Sequence, residues 1–116
     1  MSNLYDSAYD LEKAIRESNE YKDLKSLFDQ VNGDPSAKGM FENFRNLQMN
    51  LQQKQMTGQE IMPEEVEQAQ KTVALVQQHP TISKLMEAEQ RMSMAIADLN
   101  KIIMKPLEDL YGAPQQ

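Results

Sequence analysis

The chain contains no cysteine and no tryptophan among its 116 residues, and only one histidine. Without thiols, neither a disulfide framework nor a thiolate-held metal centre is available. A single histidine cannot supply the paired Glu-x-x-His units with which helical bundles hold two metals. Glycine is scarce too. Gly33, Gly39, Gly58 and Gly112 stand alone, so no glycine-rich loop exists to cradle a phosphate. Positive charge is in deficit, with 12 Lys and Arg against 18 Asp and Glu for a formal net charge of -6. Phosphate recognition needs clustered cations, so direct nucleic-acid binding is disfavoured and a protein partner favoured. Long apolar runs are missing as well. Nothing approaches the roughly 20 residues of a membrane span, and the opening MSNLYDSAYDLEKAIRES has neither the basic nor the apolar region of a signal peptide. These absences lead to the expectation of a cytoplasmic protein without membrane insertion.

What is present is helical periodicity. Leu4, Ala8, Leu11 and Ile15 recur at four-three-four spacing, and Tyr21, Leu24, Leu27, Phe28 and Val31 continue the pattern after a break and re-cap at Ser18 or Asn19. Asn32-Gly33 reads as a stop, because both residues tolerate the left-handed conformation of a helix end. Asp34-Pro35 is the strongest start signal, since Asp accepts from free first-turn amides and Pro fits the first helical position. The third helix carries Ala37, Met40, Phe41, Phe44, Leu47 and Leu51 on one face and ends at Gly58. Pro63, with Glu64 and Glu65 behind it, opens a fourth helix whose stripe is Val66, Ala69, Val73 and Val76. His79-Pro80 divides it from the fifth.

These signals predict an all-α protein of one domain. It is an elongated helical bundle of about five helices, at about 3–17, 19–32, 35–57, 63–79 and 80–104, with a short C-terminal piece at about 106–111. A kink or break is expected near Pro106, which lacks a backbone donor and clashes with the preceding turn. Short connections favour long antiparallel third, fourth and fifth helices, with the first two folded against them. At about 1.5 Å per residue the fifth helix is roughly 35–40 Å long. Its core stripe is Leu85, Ala88, Met92, Ala95, Ile96, Leu99, Ile102 and Ile103, all within about 80° of Met92.

A second apolar set lies off that stripe. Met86, Ala97 and Met104 sit about 120–140° from Met92, Met94 lies nearly opposite it, and Met49, Met56 and Leu75 are similarly off-face on their own helices. Two arrangements account for this set. Either the fifth helix is central and covered on two sides by its own chain, or the extra face is an interface with a second copy or a partner, where methionine's adaptable side chain is common.

Candidate chemistry is sparse, and no cofactor is implied. His79 sits at a helix boundary with no activated nucleophile beside it, which suits capping better than catalysis. An alternative is a metal-binding or enzymatic bundle using Glu64, Glu67 and His79. A further alternative is weak RNA binding through a patch of Lys38, Arg45, Lys54 and Lys71 formed only on folding.

The stretches MFENFRNLQMNLQQKQMTGQEI, EEVEQAQKTVALVQQHPTISKLMEAEQRMSMAIADLNKIIMKPLEDLYG and YDSAYDLEKAIRES resemble the YlbF/YmcA family of small bacterial helical proteins, in particular its YheA-like subgroup. The resemblance spans nearly the whole chain and brings no catalytic residues with it. It implies an all-helical, cytoplasmic protein of a Bacillus-type bacterium that forms a homodimer or higher oligomer. It also implies partners among other family members or RNA-processing proteins. Better-studied members act in a complex that modulates RNA processing by a membrane-associated endoribonuclease and affects competence, biofilm formation and sporulation. That complex is associated with cysteine-held iron-sulfur clusters, and this chain has no thiolate to contribute to one.

Overall fold

A computed structural model describes residues 3–112, and every regular element in that range is an α-helix. The helices are α1 (Leu4–Glu17), α2 (Asn19–Asn32), α3 (Pro35–Thr57), α4 (Pro63–Gln78) and α5 (Pro80–Tyr111). Their ends follow from side-chain chemistry. Asn3 Oδ1 accepts from the Asp6 amide at 2.9 Å, and Ser18 Oγ accepts from the Tyr21 amide at 3.2 Å, re-capping the chain between α1 and α2. Asp34 Oδ1 accepts from Ser36 at 3.1 Å and more loosely from Ala37 at 3.5 Å, with Pro35 in the first turn. Gly58 ends α3 in the left-handed region at φ 76°, a conformation that a side chain would strain. Gly33 differs from the sequence expectation. It ends α2 at φ -80°, and its amide donates to the Asp29 carbonyl at 2.9 Å, so the stop there owes nothing to left-handed backbone.

α5 is 32 residues long and contains Pro106, so the segments expected on either side of that proline form one element. Proline removes the backbone donor that would bond to Ile102. Because Ile102 and Pro106 are both exposed, water can satisfy the freed carbonyl.

The core lies where the start of α5 meets the end of α2, the first half of α3 and the end of α4. Val31 from α2, Ala37, Phe41 and Phe44 from α3, Val76 from α4, and Ile82 and Leu85 from α5 form one buried cluster. Leu24, Leu27, Met40, Val73 and Met86 pack around it. Ile82, at the edge of the arc expected for α5 and not counted in its stripe, is fully buried. Thr72 is also buried, its hydroxyl donating to the Gln68 carbonyl at 2.8 Å. The most extensive helix pairing is between α2 and α5; α3 packs on α4 and α2, α4 packs also on α5, and α3 touches α5 only lightly. α2 is therefore a main member of the bundle, beyond the peripheral place the connection lengths suggested. α1 packs its backbone only on α2.

The dimensions, 54 × 37 × 20 Å with a radius of gyration of 18.6 Å, are those of an elongated body. A compact chain of this length has a radius near about 13 Å. Truncating the core should be expensive and truncating the rim cheap. Ile82→Ala is expected to lower the unfolding free energy by about 2–5 kcal/mol, and Met56→Ala to change it by no more than about 0.5 kcal/mol. Urea titrations followed by circular dichroism provide the check.

Candidate functional site: an exposed apolar surface

Several polar groups of this structure cap helices or link one helix to the next. His79 closes α4 and opens α5 at once, its Nδ1 accepting from the Ile82 amide at 3.3 Å. Glu64 and Glu67 lie in the first turns of the same helix, so at about 1.5 Å per residue they stand roughly 18 Å or more from His79. Glu67 is paired with Lys71 at 3.3 Å. The three residues of the metal-binding alternative do not converge, and no group of three metal-ligating side chains occurs among the described residues. The cations of the RNA-binding alternative are dispersed into pairs. Arg45 reaches from α3 to Glu89 of α5 at 3.0 Å and stacks over Phe41 with 5.4 Å to the ring centroid. Lys54 binds Glu65 and Lys71 binds Glu67, which leaves Lys38 as the one member of that set outside the ion pairs among the described residues.

The Lys54–Glu65 pair is the most enclosed of these contacts. It ties the last turn of α3 to the first turn of α4 across the loop 58–62. Glu65 also accepts from the Met62 amide at 3.0 Å, the return half of a capping box. Hydrogen bonding from the Lys54 ammonium, and then from the Met62 amide, holds the Glu65 carboxyl below its ordinary value of 4.5, with burial opposing. A carboxyl whose pKa is lower folded than unfolded adds stability above the unfolded value, and that stability is lost as pH falls through the folded one.

What the polar chemistry does not use is apolar surface. Of the off-stripe set, Met49, Met56, Leu75, Met94, Ala97 and Met104 are exposed on α3, α4 and α5. Met86 is half-buried and packs against the core cluster, so a charge there would test folding rather than recognition. The larger departure concerns the stripe. On α5, Leu85 and Ala88 are buried and Met92, Ala95 and Leu99 half-buried, whereas Ile102 is 66% and Ile103 57% exposed. Ile96, Leu107, Leu110 and Tyr111 are exposed as well. α1 has no buried residue, and Leu4 at its start is 81% exposed. Between the two helices lies an open cavity of about 330 Å³ lined mainly by Leu11, Ala14 and Ile15 of α1 and Met92, Ala95 and Leu99 of α5, with Ser18, Glu20 and Asp98 completing the wall. Sequence reasoning assigned Ile102 and Ile103 to the core and passed over Leu107 and Leu110. The available signal was the continuation of the same helical register past Pro106.

Fold and surface together define a class: an all-helical protein with an off-centre core and an apolar face running along α1 and the distal half of α5. No helix among the described residues is long and apolar enough to cross a membrane. Residues 4–108 match the family described as "Control of competence regulator ComK, YlbF/YmcA", and the chain belongs to that family. Its relatives include a UPF0342 protein of Bacillus licheniformis, 75% identical over 97% of each chain. The UPF0342 protein YheA of Bacillus subtilis is 71% identical over 96% of this chain and 95% of that protein. Among solved structures, a "Protein of Unknown Function (DUF964)" from Bacillus stearothermophilus superposes with a TM-score of 0.85 at 45% identity, covering 97% of this chain and 98% of that one.

Replacing Glu65 by Gln is expected to lower the thermal midpoint at neutral pH. The loss of stability that the parent shows below about pH 4.5 should be correspondingly smaller in the variant. Melting curves of both proteins between neutral and acid pH make the comparison.

Proposed function

We propose that this chain is a non-catalytic interaction protein that self-associates and serves as an adapter among regulatory partners. The observation that supports it most is the exposed apolar surface of α1 and α5, in a protein whose one histidine caps a helix and whose Glu64 and Glu67 stand far from it. A row of large exposed apolar side chains marks a contact surface, because isolated monomers rarely keep such patches. The family description, control of the competence regulator ComK, supports a regulatory setting. Partners among other family members, or among proteins that process RNA, fit that setting. The acidic balance favours protein over nucleic acid as the contacted surface. The protein works in the cytoplasm on this reading.

Capture of the intact chain from its own cells after mild cross-linking provides the test, run beside Met49→Glu/Met94→Glu/Met104→Glu, whose positions are all exposed. Wild type should bring down family members or RNA-processing proteins, with recovery falling at least several-fold in the variant. Recovery of the chain alone would overturn the adapter role, and equal recovery by the variant would place recognition away from the methionines.

A further inference from the structure

A second open cavity, of about 480 Å³, lies where α2, α3 and α5 meet. Phe28 and Asn32 of α2, Phe41, Glu42, Arg45 and Asn46 of α3, and Glu89 of α5 line it. It shares no residue with the apolar cavity between α1 and α5.

The cavity pairs aromatic rings with carboxylates, and half of that pairing is filled from within the chain. Arg45 stacks over Phe41, 5.4 Å from the ring centroid, and its Nη1 donates to Glu89 Oε2 at 3.0 Å. One ring and one carboxylate of this surface therefore hold a guanidinium through the two forces that suit the group, charge over a π face and hydrogen bonds to an oxyanion. The other half is free. Phe28 is 49% exposed, and Glu42 is exposed and enters no ion pair among the described residues. Lys38 stands one turn before Glu42 on α3, but an exposed pair at that spacing is too weak to keep the carboxylate occupied.

We infer that this cavity receives an arginine side chain from a partner protein, its guanidinium stacked on Phe28 and paired with Glu42. Asn32 and Asn46 offer carbonyl oxygens to the N–H groups that the carboxylate leaves unused. Charge selects the occupant. Two carboxylates in the wall outnumber one guanidinium, which disfavours phosphate and carboxylate ligands, and the chain's formal net charge of -6 draws a basic partner. Arginine suits the site better than lysine, because a flat, weakly hydrated cation both stacks on a ring and meets a carboxylate through two parallel hydrogen bonds.

This inference draws on the adapter reading for the source of the arginine, while its test is independent of the apolar surface of α1 and α5. The full chain is titrated with acetyl-Gly-Arg-Gly-amide at millimolar concentration and followed by backbone amide NMR. Saturable shifts should be confined to Phe28, Asn32, Glu42, Asn46 and their neighbours. Phe28→Leu keeps apolar bulk while removing the ring, and Glu42→Gln keeps the shape while removing the charge. Each should weaken binding about threefold or more. Both positions are exposed, so helical circular dichroism should be unchanged. The same peptide with citrulline, neutral and of the same shape, should produce no such shifts. Equal shifts with citrulline, undiminished binding by both variants, or shifts spread over the other acidic residues would each overturn the site. Free arginine binding more tightly than the capped peptide would overturn a partner protein as its source. Failure of the site would leave the cross-linking capture to decide the adapter role separately.

Discussion

Everything in this molecule depends on how far the chain's own helices reach along α5. Val31 of α2, the α3 aromatics Phe41 and Phe44, and Val76 of α4 converge on Ile82 and Leu85, within the first two turns of a 32-residue helix. Close packing there supplies the core, and the chain has too few further apolar helices to extend it. Along α5 there follow a packed core, an open trough beside Met92 and Leu99, and an exposed apolar ridge to Tyr111.

Polar chemistry reinforces the connections between helices. His79 joins α4 to α5 by closing one helix and capping the next, while Lys54 and Glu65 lock α3 onto α4. Arg45–Glu89 adds a bridge from α3 to α5, although an exposed pair of this kind is worth about 1 kcal/mol or less. His79 thus has a structural use, and Glu67 is paired with Lys71, which turns attention to the apolar surface instead.

The helices themselves were legible in the sequence because their boundaries are local chemistry. Asp34-Pro35, Ser18, Gly58 and Pro63 each mark an end within the residues that form it. The single element across Pro106 was not, because the lost donor and the ring clash are local but the packing and solvation that offset them are tertiary. Coverage was illegible for the same reason. The period places Ile102 and Ile103 on the same face as Leu85, but it cannot say how far along that face the neighbouring helices extend. Met86 shows the converse, off the stripe by angle yet packed against the core, because α5 is covered through a wider arc near its start than further along.

The central claim is that α5 has one half stabilised by its own chain and another by association. Native-state hydrogen exchange of the α5 amides, measured over a wide range of protein concentration, tests it most directly. The account predicts protection from Ile82 to about Ala88 that is far less sensitive to concentration than protection beyond Ile102, which should rise steeply as the protein is concentrated. Protection beyond Ile102 that stays the same from dilute to concentrated solution would contradict it.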